Sequence, residues 1–240
     1  MPCVAQMAGI PYRAIYKNTT IDPPGTIAHC KEKGAEIIRP KKSFFEIIEQ
    51  KGFPSRFRRF CCSELKEYKV LDTAVHGIRR CESTKRAARY KEPIICRIYG
   101  SKDNHANIVL PILDWSDEDV RRFVVSNGIK CHPLYYDESG QFCVNRRLGC
   151  IGCPLPSDNG LATFKQYPNL VKAWIRAGNV WWNKPREKKL APRANFADIY
   201  ELLCYRLFYD NLGKFNEAKS GMFGKVDCKQ FLQDYFKIEL

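Results

Sequence analysis

Four cysteines are the residues of this chain best suited to chemistry. Cys61 and Cys62 are adjacent, and Cys150 and Cys153 form a Cys-x-x-Cys pair that begins 88 residues after Cys62. Thiolates are soft ligands, and four of them suit zinc or an iron–sulfur cluster. Ligands on consecutive residues crowd a single ion. They fit more easily around a cube-shaped cluster, whose iron corners are spread apart. Either centre requires two distant segments to meet. A second constellation is the run His76-Gly77-Ile78-Arg79-Arg80-Cys81-Glu82-Ser83-Thr84-Lys85-Arg86. Gly77 permits a tight turn and close backbone approach. Arg79, Arg80 and Arg86 can present forked donors to phosphate or sulfate oxygens. Ser83 adds a hydroxyl, and His76 is the histidine best placed to face a ligand.

These residues need a scaffold, and the first half of the chain alternates strand-like and helix-like stretches. Tyr12–Tyr16, Ala35–Arg39, Val70–Val75, Ile94–Ile98 and Ile108–Leu113 read as strands. Asp22-Pro23-Pro24 opens a helix that Gly34 closes, with Asp22 as its cap. Ser43–Gln50 and Ser116–Asn127 read as capped helices, the second through a Ser116/Asp119 box. Alternating β and α predicts an α/β fold with a mostly parallel sheet flanked by helices. The His76–Arg86 run then follows a strand, where α/β proteins place ligand-binding loops. From about Leu161 the pattern turns helical and aromatic. Phe164, Tyr167, Leu170, Val171 and Trp174 fall at helical spacing and read as packing residues, followed by Trp181-Trp182 and a basic stretch at Lys184–Arg193. Two parts are expected: an α/β domain over residues 1–160 and a helical, aromatic-rich region over 161–240.

The 240 residues carry a net charge of +14, and residues 39–91 hold 15 Lys/Arg against 6 Asp/Glu. That excess favours a polyanionic partner, either a nucleotide or DNA or RNA. No apolar run reaches 18 residues, so no membrane partner is expected. Twelve cysteines without a secretion signal point to reduced thiols and a cytoplasmic location. Cys3, Cys30, Cys81, Cys96, Cys131, Cys143 and Cys204 read as small hydrophobes, with Cys143 the reserve ligand beside the Cys-x-x-Cys. His29, His105 and His132 read as structural or exposed.

Taken together, these blocks resemble the phosphoadenosine/adenosine phosphosulfate (PAPS/APS) reductase family, whose fold is adenine nucleotide alpha-hydrolase-like and Rossmann-like. Gly77–Ser83 is similar to that family's Gly-hydrophobic-Arg-Arg-x-(Gln/Glu)-Ser loop. Leu113-Asp114-Trp115-Ser116 with Glu118-Asp119-Val120 resembles its Asp-Trp-(Thr/Ser)-x-(Glu/Asp)-Asp-Val helix start. His132-Pro133-Leu134-Tyr135 resembles its Asn-Pro-Leu turn before Gly-Cys-x-x-Cys. The resemblance implies that His76, Gly77, Arg79, Arg80, Ser83 and Arg86 bind an adenine nucleotide (PAPS, APS or ATP). It implies that Cys61, Cys62, Cys150 and Cys153 hold a 4Fe–4S cluster, with zinc as the alternative. It makes Lys66 a basic residue serving cluster and substrate.

Two departures shape the functional expectation. The family's Ser-Gly-Gly-Lys-Asp-Ser phosphate loop has no counterpart here, and Met1–Gly9 reads as the tail of the helix that would follow it. The chain is therefore expected to be an N-terminally truncated relative, or one whose phosphate loop comes from a separate polypeptide. The family's Glu-Cys-Gly-Leu-His tail is also absent, which leaves Cys228, between Lys225 and Lys229, as the candidate nucleophile for attack on a sulfonyl sulfur. Three readings follow: an enzyme that reduces or transfers the sulfur of activated sulfate, a sulfurtransferase of the DNA phosphorothioation type, and an inactive remnant or partner subunit.

Overall fold

The computed structural model of the chain describes residues 1–146, 148–185, 195–209, 211–220 and 226–240. Lys225 and residues 186–193 of the basic stretch lie outside the described residues. In chain order the helices are α1 (Pro2–Met7), α2 (Thr26–Glu32), α3 (Phe44–Lys51), α4 (Phe60–Leu65), α5 (Thr84–Arg89) and α6 (Asp117–Ser126). They continue with α7 (Leu161–Gln166), α8 (Asn169–Asn183), α9 (Ile199–Phe208), α10 (Leu212–Lys219) and α11 (Cys228–Phe236). The strands are β1 (Ile15–Lys17), β2 (Glu36–Ile38), β3 (Thr73–Val75), β4 (Ile94–Tyr99) and β5 (Ser101–Val109). Among the described residues no helix is long and apolar enough to cross a membrane.

Two compact units interleave along the chain. The first comprises Met1–Asn18, Pro23–Arg39 and Lys66–Leu148; the second comprises Thr19–Asp22, Pro40–Leu65 and Gly149–Leu240. The first is the α/β part. β1 and β2 pair in parallel, Ile15 opposite Glu36, and β3 runs parallel to β5 with Val75 opposite Val109. β4 returns antiparallel to β5 through Gly100, completing a three-stranded sheet in the order β3-β5-β4. Its core is Ala106, Ile108, Leu110 and Leu113, with Ala74, Ile78 and Ile95 packed around them. The strand expected over 108–113 ends at Val109, because Pro111 has no N–H to donate and Leu110–Leu113 closes a turn (Leu113 N to Leu110 O, 3.2 Å). β5 instead reaches back through polar residues to Ser101. The cap of α2 is Gly25, in the left-handed region at φ 85°, and not Asp22. Helix α6 starts as expected, with the Ser116/Asp119 capping box formed in both directions (2.9 and 3.1 Å).

The second unit is helical. α3 carries a second capping box, Ser43 with Glu46, and buries Phe44, Ile47 and Ile48. α8 lays Val171, Trp174 and Ile175 into the same core. Phe164 and Trp174 are fully buried with ring centroids 5.1 Å apart, so these aromatics pack against one another and offer no stacking face to a base. Asp227 caps α11 by accepting from Lys229 N and Gln230 N.

Candidate functional site

The four cysteines fall in the second unit. Cys61 and Cys62 lie on the short helix α4, where Cys62 N donates to Arg59 O at 3.0 Å. Cys150 and Cys153 flank a turn closed by Cys153 N to Cys150 O at 3.2 Å. That turn requires glycine at Gly152, whose φ is +70° and whose Cβ would stand 2.2 Å from Phe164 Cζ. Gly160 is constrained from the other side: a Cβ there would meet Cys153 O at 2.7 Å. The turn is anchored by Ile151 N to Ile21 O (2.9 Å) and Gly152 N to Thr163 Oγ1 (2.9 Å).

The thiols of the two segments lie within electrostatic reach of one another. The Cys61 thiol is pushed upward by its bond with Cys62, by burial, and then by Cys62, Cys150 and Cys153. Cys150 Sγ also lies 3.5 Å from Thr19 Oγ1 and 3.6 Å from Asp22 Oδ1. Four soft donors from two segments form a donor set that fits a metal–thiolate centre. Among the described residues, no three His, Cys, Asp or Glu side chains converge closely enough to enclose a metal ion. The thiols share a neighbourhood and not a closed ligand sphere.

Sequence reasoning missed the cation beside them. Arg206, on α9, is 8% exposed. Its Nε donates to Pro54 O at 2.9 Å, its Nη1 to Asn159 O at 3.4 Å and its Nη2 to Gly152 O. Burial pulls its pKa down to about 10, against an upward pull from Cys153 and Cys61, so it remains charged at neutral pH. The available signal was one basic residue within the apolar face Ile199, Leu203, Leu207. Arg56 ties the same two segments by donating to Pro154 O at 3.0 Å and Pro156 O at 2.6 Å. Cys143, the reserve ligand of the sequence reading, belongs to the first unit, where its thiol lies 3.7 Å from Asp137 Oδ2.

The arginine loop lies in the first unit, at the carboxyl end of β3. His76 N donates to Val109 O at 2.9 Å. Burial, then Arg97 and Lys17, hold the His76 imidazole below its ordinary pKa. Gly77 does not adopt a left-handed conformation; what it supplies is space, since a Cβ there would stand 3.1 Å from Met1 Sδ. Arg79 is buried and donates from Nη1 to Asp117 Oδ1 at 2.8 Å. Arg80 donates from Nε to Tyr90 O at 2.9 Å and from its two Nη groups to Asp114 and Lys91 O. Arg86 pairs with Glu82. Ser83 caps α5 by accepting from Arg86 N. The Asp-Trp-Ser-Asp segment, which carries no chemistry of its own, thus supplies the carboxylates that fix Arg79 and Arg80. Lys66 is exposed in this first unit, and its carbonyl accepts from Lys17 Nζ at 2.9 Å.

Cys228 is 7% exposed at the start of α11, its carbonyl 3.6 Å from Cys204 Sγ. The bond from Cys204 lowers its thiol pKa while burial opposes that shift. Cys81 and Cys96, read as small hydrophobes, are exposed. Cys81 Sγ reaches Trp115 O at 3.2 Å, and Cys96 sits on β4.

A family model described as the phosphoadenosine phosphosulfate reductase domain matches residues 26–156, more than half of the chain. The chain belongs to the phosphoadenosine phosphosulfate reductase family. The match takes in both cysteine pairs, the arginine loop and the Asp-Trp-Ser-Asp segment. Arg206, Cys204 and Cys228 lie beyond it. An uncharacterized protein of Methanocaldococcus jannaschii is 32% identical over 149 residues, covering 58% of this chain and 33% of its own length. An uncharacterized 37.8 kDa protein of Escherichia phage 186 is 33% identical over 208 residues, covering 72% of this chain and 58% of its own. The adenosine 5'-phosphosulfate reductase of Mycolicibacterium smegmatis is 36% identical over 87 residues, covering 34% of this chain and 31% of its own. The chain thus spans from about a third to just under three fifths of the length of these relatives. PAPS reductase family proteins are generally enzymes of sulfonucleotide reduction, acting on adenine nucleotides.

Proposed function

We propose that this PAPS reductase family chain binds an adenine sulfonucleotide and holds a 4Fe–4S cluster on Cys61, Cys62, Cys150 and Cys153. In this reading it serves in reduction or transfer of the activated sulfur. The observation that carries it is the gathering of four thiols from segments 88 residues apart into one neighbourhood beside a buried guanidinium. A cluster bound there would supply a one-electron redox centre. The chain's own residues would do the rest. Arg80 and Arg86, one third and two fifths exposed, would turn guanidinium N–H groups toward sulfate or phosphate oxygens. Asp114 and Asp117 hold the loop in place while they do so. His76, neutral at pH 7, would accept or share a proton beside that anion. Lys66 would add positive charge, and Cys228 is the thiol assigned to sulfur transfer in the family's manner.

Zinc on the same four thiols is the alternative occupant. A second substrate reading is sulfur transfer to a nucleic acid, favoured by the net charge of +14. The deciding experiment is iron, sulfide and zinc content of protein purified without oxygen, followed by titration with adenosine phosphosulfates and with duplex or single-stranded DNA. About four irons and four sulfides per chain with sulfonucleotide binding is the expected result. One zinc, or no metal, would overturn the cluster reading. Salt-sensitive DNA binding without sulfonucleotide binding would transfer the function to the nucleic-acid branch.

A further inference from the structure

We infer that Arg206 is the buried counter-charge of the four-cysteine site and the clamp that sets its two halves at a fixed separation. This rests on the reading that the thiols hold a metal. Arg206 belongs to α9, whose neighbouring positions Leu203, Cys204 and Leu207 are buried and apolar. A cation in such a row is costly unless it is bonded and compensated. The bonding is on hand: the guanidinium uses all three nitrogens, and every acceptor is a backbone carbonyl. Pro54 O lies on the segment leading into Cys61 and Cys62. Gly152 O lies inside the Cys150–Cys153 turn, and Asn159 O lies in the loop that folds back over Cys153 O at Gly160. One rigid fork therefore spans both cysteine-bearing segments. The face of Trp174 packs on it at 4.5 Å.

The compensation is not supplied by a carboxylate. Among the described residues no Asp or Glu forms an ion pair with Arg206, and the one buried acid of the same helix, Glu201, pairs with Lys219 at 2.8 Å. The groups whose electrostatics act on Arg206 are the sulfurs of Cys61 and Cys153, one from each half of the site, and metal binding is what would make them thiolates. Four thiolates around zinc, or around an oxidised 4Fe–4S core, leave a dianionic centre, and a fixed buried cation is the charge it lacks. Arg206 also lies outside residues 26–156, so the counter-charge comes from the helical C-terminal part and not from the matched domain.

The test compares wild type, Arg206→Lys and Arg206→Met, each purified without oxygen and supplied with iron and sulfide. Metal content, the rate of metal loss to a chelator, the midpoint potential and the far-ultraviolet circular dichroism melt are measured. Arg206→Lys is expected to lose metal about ten- to a hundredfold faster, because the fork is gone, while keeping a potential near wild type. Arg206→Met is expected to lose metal at least as fast and to shift to a more negative potential, because the positive charge is gone. The potential separates a charge role from a merely structural one. Should Arg206→Met fail to fold, the chelator rate of Arg206→Lys still decides. If the wild type carries zinc, the chelator rates decide alone. Wild type that holds metal, with variants that release it within twofold of the wild-type rate at an unchanged potential, overturns the inference and leaves the metal reading standing. Wild type that holds no metal overturns both.

Discussion

Substituting Gly152 by alanine isolates how tightly the Cys150–Cys153 turn is built. Two costs add. At φ +70° an L-residue pays the left-handed penalty, about 1–2 kcal/mol. The new methyl would also stand 2.2, 2.6 and 2.9 Å from three ring carbons of Phe164, well inside contact distance. Phe164 cannot retreat, because it is fully buried and wedged edge-on against Trp174 at 5.1 Å and Phe236 at 6.1 Å. Overpacking of this kind costs about 1–3 kcal/mol. The expected loss is therefore about 2–5 kcal/mol, a large part of the 5–15 kcal/mol that holds a typical domain together. Urea unfolding followed by tryptophan fluorescence reads it, since Trp174 packs directly on the displaced ring. Phe164→Leu in the same chain opens room at the ring edge. The double variant should recover the steric share, a coupling of about 1–3 kcal/mol, and retain the backbone strain. A single-variant loss under about 0.5 kcal/mol, or two effects that add within about 0.5 kcal/mol, would refute the reasoning.

Three further outcomes follow from the same geometry. Cys150→Ser should release the bound metal and lower the melting temperature, measured by metal content and calorimetry; unchanged metal content sinks the four-cysteine assignment. His76, held below its ordinary pKa of about 6.5 by burial and by Arg97 and Lys17, is neutral in the folded chain at pH 7. The unfolded chain takes up that proton first, so stability falls as pH drops below about 6.5. A bound anion draws the same pKa upward, so sulfonucleotide affinity should rise over that range in wild type and not in His76→Ala; identical pH profiles would exclude His76 from the site. The Asp119 carboxyl, held at about 2 by its bonds with Ser116 and then Arg122, contributes stability that is present above the usual carboxylate range. That contribution is lost as pH falls from about 4 toward 2, and acid titration of Asp119→Asn should lack that portion of the wild-type decline.

What could be read in the chain beforehand was whatever is encoded locally. The Ser43 cap and the Ser116/Asp119 box are each set by neighbouring residues, and both helices begin where they place them. The Cys-x-x-Cys turn is equally local. β5 was misplaced because Ser101–Asn107 carries no apolar alternation; its strand character comes from pairing with β4, Arg97 opposite Ala106 and Ile98 opposite His105. Asp22 looked like a helix cap because prolines follow it. Its carboxylate instead accepts from Thr19 N at 3.1 Å and reaches toward Cys150, which is 128 residues away and leaves no local trace. Arg206 showed only as one basic residue in an apolar row, because its acceptors lie 47, 54 and 152 residues distant.

The arginine loop changes meaning once its partners are known. Counted along the chain, Arg79, Arg80 and Arg86 are a concentrated positive charge. In the fold each faces a carboxylate: Asp117, Asp114 and Glu82. Their fields largely cancel, so the loop attracts an anion weakly at long range. What it keeps is direction. Each guanidinium has five N–H donors, and an arginine locked by Asp114, Tyr90 O and Lys91 O has little rotamer freedom left to lose when a remaining donor meets an oxygen. Long-range attraction then falls to cations whose charge no close carboxylate offsets: Lys17, which donates to the carbonyls of Lys66 and Tyr68, and Arg97, 3.8 Å from Glu67, both of which depress His76. A loop that orients and a separate group of cations that attracts is a division suited to a small, highly charged sulfonucleotide. Such a ligand must be captured from solution and then held with its reactive sulfur in one orientation.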